Sequence, residues 1–126
     1  MTTQGKSLEK LGHRAVACKH WRWMPGCAWT WAQSHGRMNK GRVPDFASSI
    51  PGDAVPDLSD PATLGCLLYL VREAWKDSDL TADRVLRGSE ERDIWQVYVF
   101  HDSGVKDVLS GHSEVEALVA ALGAAP

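Results

Sequence analysis

Ile94-Trp-Gln-Val-Tyr-Val-Phe100 is the stretch on which the fold turns. Six of its seven residues are β-branched or aromatic and they fall on both parities, so both faces of a strand here carry apolar groups, as in an interior strand covered on two sides. Asp102-Ser103-Gly104 then reads as a turn, and Val105 to Leu109 as a return strand. Beyond it, Ser113 and Glu116 make a capping box for a last helix. Its Val115, Leu118, Val119 and Leu122 share one face, and Gly123 ends it.

Working back from the strand, Asp77 to Asp93 is charged and irregular, with a short element expected around Val85-Leu86. Ahead of it lies the clearest helix start in the chain: Asp60 as N-cap and Pro61 at the first helical position, where a missing N–H costs nothing. Leu64, Leu67, Leu68, Val71, Ala74 and Trp75 repeat at helical spacing, and Tyr69 and Leu70 widen the stripe, which predicts the most buried helix of the protein. Gly36, Gly41, Pro44, Pro51, Gly52 and Pro56 punctuate a polar stretch before it. A long irregular loop over about residues 34–59 is expected there, with room for a short strand near Val43.

Leu8, Leu11, Ala15 and Cys18, at steps of three and four between Ser7 and Lys19, predict a first amphipathic helix. Next comes Trp21-Arg-Trp-Met-Pro-Gly-Cys-Ala-Trp-Thr-Trp31, an alternation on either side of Pro25-Gly26 that reads as a β-hairpin. A two-residue loop would set Trp23 opposite Ala28, with the two Trp pairs on opposite faces. A three-residue loop would set Trp21 opposite Trp29 and gather all four indoles on one face. Both registers fit the residues. The order helix, two strands, loop, helix, two strands, helix predicts a single α+β domain over residues 1–126: a small α-β-α sandwich with a mostly antiparallel sheet of about four strands and three helices.

The composition is that of a globular protein, 44% hydrophobic and 24% charged over 126 residues, which argues against wholesale disorder. No run approaches the roughly 18 apolar residues of a membrane span, and the polar start Met1-Thr-Thr-Gln-Gly-Lys6 reads as neither signal nor anchor, so a cytoplasmic location away from membranes is expected. Three widely spaced cysteines, Cys18, Cys27 and Cys66, fit reduced thiols there. The net charge of −2 hides a division: residues 1–43 carry eight Lys or Arg against Glu9 alone, and the remaining residues hold six basic and fifteen acidic groups.

Two segments, Cys18-Lys-His-Trp-Arg-Trp-Met-Pro-Gly26 and Pro56-Asp-Leu-Ser-Asp-Pro-Ala-Thr-Leu-Gly-Cys-Leu-Leu-Tyr-Leu-Val-Arg-Glu-Ala74, together with the closing strand, turn and Glu116-Ala-Leu-Val-Ala-Ala-Leu122 helix, resemble small uncharacterised proteins of tailed phages and prophages, similar to the phage ABA sandwich group. The resemblance leaves out the loop from Ser34 to Gly52. It implies a phage or prophage origin and an α-β-α sandwich, and it brings no catalytic residues with it.

Candidate chemistry is sparse. Cys18, His20, Cys27 and His35 are soft ligands, but only Cys18 and His20 form a close pair, which is not zinc spacing. His101-Asp102-Ser103 has the letters of a nucleophilic triad, yet adjacent residues in a turn point apart; His112 and His35 would need the fold to bring a nucleophile to them. No phosphate-cradling glycine motif occurs, and no cofactor or metal is expected. The best candidate is an aromatic and basic cluster: Trp21, Arg22, Trp23, Trp29, Trp31, Arg37, Lys40 and Arg42, beside Lys19 and His20. Indoles stack on bases for roughly 1–3 kcal/mol each, and Arg or Lys neutralises phosphate. The competing reading makes the same indoles hairpin core and the cations solvated charges.

Taken with the resemblance, these residues lead us to expect a phage accessory protein that antagonises host defence by sequestering a small nucleotide signal. An anti-CRISPR-like inhibitor of a host nucleic-acid-binding complex is the alternative, through the loop or through Glu73, Asp77, Asp79, Asp83, Glu90, Glu91 and Asp93; a small hydrolase is the third reading. Contact between that acidic patch and the basic end of another copy would favour a homo-oligomer.

Overall fold

The computed structural model describes residues 2–32, 38–43, 54–85, 94–100 and 106–126, with side chains at 8–30, 41–43, 54–85, 94–99 and 107–126. Among the described residues the protein is α+β, with three helices and two three-stranded antiparallel sheets. The expectation of about four strands falls short: six are present among the described residues. The chain divides into two compact units, Met1–Cys66 and Leu67–Pro126. By sequence the first holds eight basic and five acidic residues and the second six and eleven.

The first unit opens with helix α1, Thr2–Ala17, which buries Leu11 and Ala15 as the spacing predicts. Strand β1, Ala28–Ala32, is the centre of the first sheet. It pairs on one side with β2, Met38–Arg42, in the register Ala28↔Arg42 to Ala32↔Met38, and on the other with the two-residue β3, Val55–Pro56. Pro56 has no N–H to offer a further strand, and it sits on an edge where none is needed. Thus the stretch expected as irregular over 34–59 contributes two strands, and the strand foreseen near Val43 ends one residue before it.

The hairpin expected across Pro25-Gly26 is absent, and with it both registers considered for it. Met24-Pro25-Gly26-Cys27 is instead closed by Cys27 N–H donating to the Met24 carbonyl at 3.1 Å, with Gly26 at φ 92°. Proline at the second position and a left-handed glycine at the third make a type II turn, whose twist splays flanking strands, whereas two-residue hairpins need the mirror-image turns. The backbone of Gly26 and Cys27 bonds to Val43 instead, at 3.0 and 2.8 Å, so β1 finds its partner further along the chain.

The second unit takes the later turns of helix α2, Pro61–Trp75. Leu67, Leu70, Val71 and Trp75 are buried, while Tyr69, expected on the same stripe, is 51% exposed. The second sheet has β5, Ile94–Phe100, between β4, Ala82–Val85, and β6, Lys106–Gly111. On β5 the two faces are unequally covered: Val97 and Val99 are wholly buried, whereas Gln96 and Tyr98 on the other face are half-buried and share a 2.7 Å hydrogen bond. Helix α3, Glu114–Ala124, starts as its capping box predicts, with Glu116 N–H donating to Ser113 Oγ at 3.1 Å, and runs one residue past Gly123. Its Leu118 and Leu122 are fully buried, and the Trp75 indole N–H donates to the Ala121 carbonyl at 2.8 Å. The turn expected at Asp102-Ser103-Gly104 and the residue Leu86 lie outside the described residues.

Helix α2 ends in a Schellman motif. Asp77 N–H donates to the Arg72 carbonyl at 2.9 Å and Lys76 N–H to the Glu73 carbonyl at 3.2 Å. Lys76 occupies the left-handed position, φ 54°, where glycine is the usual residue.

Candidate functional site

The chain leaves α1 through Cys18-Lys19-His20 and reaches Trp21-Arg22-Trp23 in irregular backbone ahead of the type II turn. Trp21 and Trp23 meet edge to face, ring centroids 5.4 Å apart and planes at 86°, the arrangement in which one positive ring edge meets the other's negative face. Both residues are half-buried. The indole N–H of Trp21 is nevertheless shut off from solvent and has no acceptor among the described residues. A buried donor left unmatched costs about 1–3 kcal/mol, so this ring position is unfavourable as it stands. Exposed cations lie nearby in sequence: Lys10 and Arg14, one helical turn apart on α1, then Lys19 and Arg22.

Trp29 does different work. It lies opposite Gly41 in the β1–β2 ladder, and a methyl group at position 41 would overlap its indole. Thus the Trp29 ring covers the bare glycine across the strand pair. Trp31 takes its place in β1 opposite Asn39, and Lys40 in β2 opposite Thr30. Arg37 and His35 lie outside the described residues.

Arg42 is committed to a partner. Its Nη1 and Nη2 donate to Asp60 Oδ2 and Oδ1 at 3.0 and 2.9 Å, and Nη1 also donates to the Gly26 carbonyl at 2.7 Å. Asp60 is at once the N-cap of α2: Oδ2 accepts the Thr63 N–H and the Thr63 hydroxyl, each at 3.0 Å. Thr63 is fully buried, and its Oγ1 accepts the Ala28 N–H at 2.8 Å, joining β1 to the helix start. The Arg42 guanidinium holds the Asp60 carboxyl well below the usual carboxylate range, helped by the Thr63 donors and opposed by partial burial.

Beside this network sits Cys27, completely buried, its thiol donating weakly to the Ala28 carbonyl at 3.8 Å. Burial pushes the Cys27 thiol up to about 12, and burial likewise raises Cys66 and Cys18. Sequence reasoning identified Asp60 as a cap and Arg42 as a phosphate ligand. It missed that the two meet, because the pairing spans 18 positions and carries no local signal.

In the second unit, a surface cavity of about 590 Å3 at the end of α2 is lined by Tyr69, Arg72, Glu73, Lys76, Asp77 and Ser78. Arg72 is oriented there by its Nε donating to the Leu80 carbonyl at 2.7 Å. Among the described residues no helix is long and apolar enough to cross a membrane, and no three His, Cys, Asp or Glu gather as a metal cluster.

No family model matches the chain, and no match was found among curated proteins or solved structures.

Proposed function

We propose that this chain works by binding, and that its ligand is a small nucleotide held at the Trp21–Trp23 pair. The observation that carries the reading is the Trp21 indole N–H: buried, without an acceptor among the described residues, and on a ring that meets its neighbour edge-on. A ligand oxygen or ring nitrogen reaching that donor would remove the penalty of leaving it unmatched. A base would find aromatic surface on two half-buried indoles, with the exposed Arg22 between them in sequence and the exposed Lys19 two residues ahead of Trp21. Arg42 is assigned a structural role in this reading, since both of its terminal nitrogens are engaged by Asp60.

The biological setting is part of the proposal: a phage or prophage accessory protein of α-β-α sandwich type, acting in the host cytoplasm, for which sequestering a nucleotide signal would blunt a host defence. A second reading is inhibition of a basic host protein by direct contact, favoured by the exposure of Glu73, Asp79 and Asp83 around the end of α2 and the start of the second sheet.

Thermal denaturation against cyclic and linear nucleotides tests the first reading. A bound nucleotide at a hundred times its Kd adds about 2.7 kcal/mol and raises the midpoint by several degrees. Trp21→Phe should keep the fold and lose the shift, and the ligand should be recovered intact on denaturation. No shift with any nucleotide would overturn it, and capture of a basic host protein by the acidic face would then favour the second.

A further inference from the structure

The hydrogen bond from Ala28 N–H to Thr63 Oγ1, 2.8 Å long, fixes the start of β1 against the first turn of α2. Cys27 immediately precedes Ala28, and Cys66 follows Thr63 by three residues, the spacing that places two helix positions on one face. The Ala28–Thr63 bond accordingly brings the segment of Cys27 against the helix face that carries Cys66, and each thiol acts on the other's titration, although 39 positions separate them in the chain. Both are free.

We infer that Cys27 and Cys66 are a reversible redox pair, a modification site whose co-substrate is a small-molecule disulfide such as oxidised glutathione. Cys66 is half-buried and Cys27 fully buried, so the oxidant meets Cys66 first. The Cys66 thiolate attacks one sulfur of the oxidant, the oxidant's S–S bond breaks, and one reduced thiol leaves with a proton. Cys27 then gives up its proton, attacks the Cys66 sulfur and displaces the second reduced thiol. Two protein thiols become one disulfide, and one small disulfide becomes two thiols. The product bridges the start of β1 to the first turns of α2, the two segments that the Ala28–Thr63 bond already holds, converting a hydrogen-bonded junction into a covalent one. Burial raises both thiols, and Cys66 is the one that the oxidant can reach, which makes Cys66 the sensing thiol and Cys27 the resolving one.

The test uses the full chain with Cys18→Ser, so that only this pair can react. Incubation with oxidised glutathione should take the denatured protein from two titratable thiols to none, with a mass loss of two hydrogens and a Cys27–Cys66 linked peptide after digestion. The thermal midpoint should rise by roughly 10 °C, as expected for closing a loop of this length, and dithiothreitol should restore it. Cys66→Ser, which leaves the buried site intact, should show no rise. A stable glutathione adduct on Cys66 without the internal bond, or covalent dimers in place of it, would overturn the inference.

Discussion

Arg42 and Asp60 face one another with two parallel hydrogen bonds, 3.0 and 2.9 Å, so that the last residue of β2 grips the N-cap of α2. The planar fork of a guanidinium matches a carboxylate in this geometry, and the same carboxylate still caps the helix through Thr63. One side chain therefore anchors both a helix start and a sheet edge.

A pH dependence follows from that pair. The native carboxyl holds its proton less readily than the same group in the unfolded chain, because Arg42 favours its charged form. Its contribution is therefore complete above the unfolded value of about 3.9 and is lost as pH falls below it toward the depressed native value. Asp60→Asn retains a capping side chain and cannot ionise. Its unfolding midpoint should be lower at neutral pH, and its decline between about pH 4 and pH 2 shallower than that of the parent. Equal acid limbs in circular-dichroism melts of the two proteins would contradict the assignment.

Thr63 carries the next prediction. Replacing it by valine keeps the shape but removes the acceptor of the Ala28 N–H and the donor to Asp60. The buried amide is then unmatched, at a cost of about 1–3 kcal/mol in denaturant-derived stability. Hydrogen exchange at Ala28 should accelerate in the same variant, localising the loss to the start of β1.

Position 41 tolerates no side chain while Trp29 stands opposite. Gly41→Ala would force the indole off its seat, and overpacking of this kind costs about 1–3 kcal/mol. A chemical denaturation midpoint unchanged from the parent would show that the ring has room to move. The double variant with Trp29→Val should recover part of the loss.

Lys76 offers a gain. A non-glycine residue in the left-handed helix-ending position carries a conformational cost of about 1 kcal/mol, and its side chain is exposed. Lys76→Gly should raise stability by about that amount in thermal or urea melts. A fall would mean that the lysine side chain makes contacts at the Tyr69–Ser78 cavity worth more than the strain it bears.

These residues also show what the sequence could reveal. Asp60-Pro61 and Ser113-x-x-Glu116 announce their helices because capping is chemistry between residues three apart, and Ile94–Phe100 announces a strand because both its faces are apolar or aromatic. Met38-Asn-Lys-Gly-Arg42 has no such signature: nothing in it favours a strand apart from the ladder that β1 offers. Pro25-Gly26 misled for the opposite reason, being a true turn of the wrong hand for a hairpin. Helix α2 is apolar on most of its circumference, so its periodicity left room for Tyr69 to point either way, and it points outward. The Trp and Arg residues of the candidate site were visible as a cluster in sequence, but their separate uses, Trp21 against Trp23, Trp29 over Gly41 and Arg42 on Asp60, depend on contacts formed only on folding.

Trp29 and Gly41 restrict each other's history. While the indole is in place, any first step away from glycine at position 41 meets a steric barrier, whereas a smaller residue at position 29 opens the way for it. Substitution therefore has a preferred order, Trp29 before Gly41. Related chains that diverge here should change at both positions or at neither, or at the first alone, leaving a one-directional pattern of covariation.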